Sequence, residues 1–184
     1  MPVTFTYVFT SGSVRLRPQW KESPEANFSA ASVWPIGKTA TDEFLKAEIR
    51  HVFSEKNTGE EIGAMFLKRK KDFFNTYVSD NKDVKDAELK EASMAYNLDE
   101  DSKMLIAFQS SKMMVFAFTF YSYTGGAHGN YGTSYTSVDL TSNKVLALDQ
   151  VITESGKRQL QNLLEKNFRK QFNLKLTDSF TEGG

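Results

Sequence analysis

The sequence predicts an α+β fold: an antiparallel sheet with helices packed on one face, arranged as two intimate lobes. Three observations carry this. From Met113 to Phe120 the bulky residues Met114, Phe116, Phe118 and Phe120 fall at alternate positions, the period of a half-buried strand, and a second alternating run follows from Tyr131 to Leu140. Elsewhere apolar residues recur at helical spacing, most clearly at Leu160, Leu163, Leu164, Phe168 and Phe172. Short polar spacers such as Ser110-Ser111 separate the strand-like runs, as in a meander.

In chain order, Val3 to Phe9 is rich in β-branched and aromatic residues, and Gly12 marks a turn before Val14 to Arg17. Pro18 and Pro24 bracket a polar segment of loop or sheet edge. Phe28 to Ile36 is a further strand, ended by Pro35 and Gly37. Thr41-Asp42-Glu43 supplies the cap and acidic first turn of a helix carrying Leu45, Ile49, Val52 and Phe53. Thr58-Gly59-Glu60-Glu61 has the form of a capping box opening a second helix, with Ile62, Met65, Phe66, Phe73 and Tyr77 on one side. Its basic cluster, Lys68 to Lys71, reads as a solvated face with snorkelling stems rather than an anion site.

The charge-dense stretch Ser79 to Lys90 is the expected boundary between an N-terminal companion region, residues 1–88, and a hairpin-bearing domain, residues 89–184. Ala92 to Leu98, Lys103 to Phe108 and Met113 to Tyr123 then read as strands, with Asp99-Glu100-Asp101 a solvated turn. Thr141 to Lys144 is the next turn, where Asn143 tolerates a left-handed backbone. Ser155 caps a last helix, Ser155 to Phe172, whose Leu/Phe stripe is expected to lie buried on the hairpin sheet.

Composition narrows the function classes. With 40% hydrophobic and 25% charged residues the 184-residue chain is an ordinary globular protein. Basic and acidic residues balance at 23 each, so no chain-wide field exists to hold nucleic acid, and no nucleic-acid partner is expected. No apolar segment approaches the ~20 residues of a membrane span, so no membrane insertion by this segment is expected. Cysteine is absent, which removes disulfides, thiol nucleophiles and thiolate zinc sites.

The only histidines, His51 and His128, have no H-x-x-H or H-x-x-x-H partner, so no metal site and no cofactor are expected. Ser122, Thr124 and Ser134 lie near His128 in sequence, yet no nucleophile elbow or acidic orienter accompanies them. Gly125 to Gly129 lacks the Lys-Ser/Thr of a phosphate loop and joins two strands rather than a strand and a helix. Asp139 and Asp149 read as strand-end or cap residues, and spacing alone sets no pair of carboxylates across a cleft. The balance leans against an enzyme.

What remains is the hairpin loop itself. Tyr121, Tyr123, Thr124, Gly125, Gly126, His128, Tyr131 and Tyr135 concentrate aromatic rings with polar tips around a glycine turn, a composition that suits sugar faces and protein interfaces. The alternative is that the tyrosines and His128 brace an awkward loop and mark fold alone.

The string Y-x-Y-T-G-G-A-H-G at Tyr121–Gly129 is followed by Asp139-Leu140-Thr141, Lys144, Leu148-Asp149 and a leucine-rich helix. It resembles the domain shared by a peptidoglycan deacetylase (PdaC) and a lysozyme-sensing anti-sigma factor (RsiV), over Leu89 to Phe172 and more loosely over residues 1–88. The resemblance implies export to the periplasm or cell surface, as a lipoprotein whose leader is absent from this chain. It also implies a non-enzymatic bacterial cell-envelope recognition module, binding peptidoglycan-type glycan or a muralytic protein such as lysozyme. The alternatives are an enzyme acting on envelope glycans with the Gly-rich loop at its site, and a purely structural interaction domain. Deacetylation is not implied, because the paired-histidine motif of such catalytic domains is missing. Relatives continue past the last helix into further strands, whereas this chain stops at Phe180-Thr181-Glu182-Gly183-Gly184. The expectation is an uncovered sheet edge and self-association through it.

Overall fold

A computed structural model describes residues 3–54 and 59–180. Strands β1 (Phe5–Arg15) and β2 (Glu25–Pro35) form a hairpin. Helices α1 (Ala40–Phe53), α2 (Ile62–Asp80) and α3 (Asp86–Glu91), then a 3-10 turn (Ser93–Tyr96), return the chain so that β3 (Leu98–Gln109) joins β2 in parallel. An antiparallel meander of β4 (Met113–Thr124), β5 (Asn130–Asp139) and the short β6 (Lys144–Val145) completes a six-stranded sheet in the order β1 to β6. Helices α4 (Leu148–Val151) and α5 (Glu154–Gln171) follow. The fold is α+β.

The chain divides into two compact units, Met1–Val145 and Leu146–Gly184. The boundary expected near residue 88 falls inside the first unit, where Ala26–Ser32 of β2 pair with Leu98–Met104 of β3.

Strand alternation decides what the sheet shows to each side. Even-numbered residues face the helices: Phe28, Ala30 and Trp34 of β2, Met104 of β3, Met114 and Phe116 of β4 and Val138 of β5 enter one core with Leu45, Ile49, Phe53, Ile62, Met65 and Phe66. Full burial of a side chain such as Phe66 or Ile49 contributes roughly 1.5–3 kcal/mol. A second cluster joins Leu16, Ala26, Tyr77 and Leu89 beneath the β1–β2 hairpin. Most odd-numbered residues form the opposite, outer face, although Phe5 and Val33 near the strand ends pack against the core.

Several local expectations are corrected. Gly12 makes no turn but lies within β1 against Phe28 of β2, where a Cβ would stand 3.4 Å from the Phe74 ring of α2; the glycine allows close approach of the helix. Helix α1 is capped by Thr39 rather than Thr41, with the Thr39 hydroxyl accepting from Asp42 N at 3.2 Å and Asp42 Oδ2 accepting from Thr39 N at 2.8 Å. The capping box expected at Thr58 lies outside the described residues. Ala92–Tyr96 is not a strand but turn and 3-10 backbone, and Asp99-Glu100-Asp101 lies inside β3 rather than in a turn. Cross-strand partners make two of those acids tolerable there, Asn27 holding Asp99 and Ser29 holding Asp101, while Arg69 of α2 pairs with Glu100 at 2.6 Å.

In the second unit Thr153, not Ser155, caps α5 by accepting from Gly156 N at 3.2 Å. Within this unit no second element covers the middle of its stripe among the described residues, and Leu163 and Leu164 are 56% and 60% exposed. Periodicity fixes which side of a helix is apolar, not whether anything covers it. The stripe's aromatic end is tied down locally, with Phe168 packed 4.6 Å from Phe172 and 5.4 Å from Phe180 between ring centroids.

Candidate functional site

The outer face of the sheet carries polar residues in register. Ser13, Asn27, Asp99 and Tyr123 form one row across β1 to β4, and Ser11, Ser29, Asp101, Tyr121 and Tyr131 form the next across β1 to β5. At the end of these rows the β4–β5 loop, residues 125–129, closes over the 3-10 turn. Gly125 takes φ +80°, and a Cβ there would meet the Ala95 carbonyl oxygen at 1.9 Å, so both the angle and the approach require glycine. The Tyr123 hydroxyl donates to Gly126 O at 2.9 Å and also lies 3.4 Å from Met94 O, tying the loop to that turn. The Tyr121 ring lies over Gly129, where a Cβ would come within 2.4 Å of it.

Between loop, turn and sheet lies an open groove of about 620 Å³, lined by Glu22, Glu25, Asn27, Asp99, Tyr121 and Tyr123 and by the loop residues Gly126 to Gly129. A second recess of about 490 Å³ continues along the outer face, sharing Asn27, Asp99 and Tyr121 and reaching Ser11, Ser29 and Asp101. The polar groups are held in place. Asn27 Nδ2 donates to Asp99 Oδ1 at 2.8 Å, Arg15 pairs with Glu25 at 3.2 Å, and Lys103 stands 3.5 Å from Asp101. The Ser13 hydroxyl, with a smaller contribution from Arg15, holds the Glu25 carboxyl below the usual carboxylate range, so it is ionised at neutral pH. His128 Nδ1 lies 3.3 Å from Gly129 O, which leaves Nε2 as its outward atom.

The eight residues singled out from sequence separate into groups. Tyr121, Tyr123, Gly126 and His128 meet in the groove. Thr124 ends β4, and Gly125 is spent on the contact with Ala95. Tyr131 sits directly across from Tyr121 and is 80% exposed, whereas Tyr135 pairs with Ala117 further along β5, away from the groove. Sequence reasoning missed Glu25, Asn27 and Asp99. Their only signal was parity, since Asn27 shares β2's polar alternation and Asp99 that of β3, and parity means nothing until the strand register is known. Ser122 and Ser134 occupy even positions on the helix side of the sheet, so the register does not bring them to His128. Among the described residues no three His, Asp or Glu side chains stand together as a metal site.

Residues 36–131, just over half of the chain, match the model of the family described as deacetylase PdaC. The chain belongs to that family. The match takes in α1 to α3 and runs through the glycine loop to Tyr131, so it includes helices over which the resemblance read from the sequence is the looser one. No curated protein matches the chain. Among solved structures it is similar to a member of the DUF3298 family from Bacteroides fragilis, with a TM-score of 0.78 and 21% identity, covering 99% of this chain and 74% of that one. It is also similar to a DUF3298 family protein from Pseudomonas aeruginosa, with a TM-score of 0.52 and 14% identity, covering 93% of this chain and 69% of that one. At such identities the likeness is one of fold.

Proposed function

We propose that this chain is a recognition module of the bacterial cell envelope, exported to the periplasm or cell surface, and that its groove binds peptidoglycan-type glycan without turning it over. The observation that carries the reading is the union, in one groove, of the Tyr121 ring with Asn27, Asp99 and the loop backbone. A sugar offers an apolar face for a ring and hydroxyls for amide and carboxylate groups, and this surface presents both in fixed positions. Tyr123 and Gly125 serve as supports that hold the loop, while Tyr121 and the polar pair provide contact.

The test is titration of the chain with soluble muropeptides and chito-oligosaccharides by calorimetry. Tyr121→Ala and Asn27→Ala should each weaken binding by ~10-fold or more, about 1.4 kcal/mol, with the melting temperature nearly unchanged. Capture of lysozyme with no glycan binding would move the reading to protein recognition. Turnover of the oligosaccharides lost in His128→Ala would make the protein an enzyme. As a separate contact, we propose that β5 pairs with a second copy, because its strand neighbour on the outer edge reaches only Val138 and Asp139 and Asn130–Ser137 carries no charge.

A further inference from the structure

We propose that the groove selects glycan whose amino sugars carry a free, protonated amine, in preference to the N-acetylated form. This rests on the glycan reading above and adds the chemical class of the sugar. The chain as a whole is neutral, with 23 basic and 23 acidic residues, so a local excess of one sign is a property of the place. No Lys or Arg is among the lining residues of the groove, and of its acids Glu25 is paired with Arg15 from outside the lining, which leaves Glu22 and Asp99 with His128. The nearest cations of the outer face are already engaged, Arg15 with Glu25 and Lys103 with Asp101.

Asp99 is the centre of the argument. It is half-buried, it lines both the groove and the adjoining recess, and among the described residues no cation pairs with it. Asn27 fixes its Oδ1 at 2.8 Å, which orients the carboxylate and leaves Oδ2 for a ligand. An ammonium on a sugar supplies a charge-assisted hydrogen bond to that oxygen. An acetamido group in its place sets a methyl against a partly desolvated carboxylate, which then loses water without a cationic partner. The Tyr121 ring, which lines the same groove and recess as Asp99, favours the same choice, because an aromatic face attracts a cation and also accepts the apolar face of a pyranose. Phosphate-bearing glycan units meet like charge in the groove and are disfavoured.

The experiment compares hexamers of glucosamine and of N-acetylglucosamine, at equal length, by calorimetry on the full chain at pH 6. The glucosamine hexamer should bind at least ~10-fold more tightly, and the difference should shrink in 1 M salt as the charge interaction is screened. Asp99→Asn should abolish most of the preference, weakening the glucosamine hexamer by far more than the N-acetylated one. Glu22→Gln, at an exposed loop position, should reduce the preference in part and provides the test if Asp99→Asn does not fold. Equal affinity for the two hexamers overturns the inference and leaves the glycan reading standing. Binding of neither overturns both. Displacement of the glucosamine hexamer by hexalysine at equal concentration, or binding unaffected by Tyr121→Ala, shows non-specific attraction to acidic surface and overturns the inference as well.

Discussion

At Tyr77 a single atom carries a testable consequence. The side chain is buried beneath the β1–β2 hairpin, and among the described residues its hydroxyl has no hydrogen-bond partner. Burial, with a smaller contribution from the Glu25 charge, pushes its pKa up to about 12. Because the folded value is raised above the ~10 of an unfolded tyrosine, its contribution to stability is fully present below pH ~10 and is lost as pH rises toward 12. Tyr77→Phe removes an unpaired polar atom, so stability at pH 7 should stay level or rise by up to ~1 kcal/mol, and the alkaline loss should become shallower. Denaturant melts at pH 7 and pH 11 measure both. A loss above ~1 kcal/mol at pH 7 would mean that the hydroxyl has a partner after all.

Among the elements, α5 separates pattern from environment. Its stripe is as regular as that of α1, yet Leu45 and Ile49 of α1 are fully buried while Leu163 and Leu164 stand exposed. Leu164→Ala should therefore cost less than ~0.5 kcal/mol, the scale of a surface change, rather than the ~2–5 kcal/mol of a core deletion. Thermal or urea melts decide it, and a loss of 2 kcal/mol or more would place Leu164 in a buried contact. The α2 basic cluster shows the opposite relation. It was legible as a solvated face, and Lys68 does pair with Asp72 one turn on, but Arg69 also reaches β3 to neutralise Glu100 and Lys70 donates to Ser11 O at 3.1 Å. Those contacts come from elements distant in sequence.

For the whole molecule, the two sheet edges differ. Along β1 the α2 side chain Lys70 covers the Ser11 carbonyl, whereas Asn130–Ser137 of β5 has, among the described residues, no strand neighbour on its outer side, and it carries no charged residue to deter one. If β5 pairs between copies, the protein should show concentration-dependent dimers in sedimentation analysis, and Thr133→Lys, a charge set on the edge, should shift it to monomer. A monomer at all concentrations would count against the pairing.

The sequence by itself determined the α+β class, the β4–β5 hairpin, the faces of α1 and α2, and the left-handed Asn143, found at φ 52°. These follow from short-range rules: alternation, helical spacing and turn chemistry act over a few residues and are written in the order of the chain. It also marked the glycine loop, because Gly125 answers to a backbone angle. The packing in three dimensions settled that β2 and β3 run parallel and that Asp99 lies in a strand between Asn27 and Tyr123, in the groove that Tyr121 also lines. The β2–β3 pairing depends on segments that meet across some seventy residues of intervening chain, as the Asn27–Asp99 bond does. Strand register converts a parity in the sequence into a shared face, and no local rule fixes register between strands that are not neighbours in the chain.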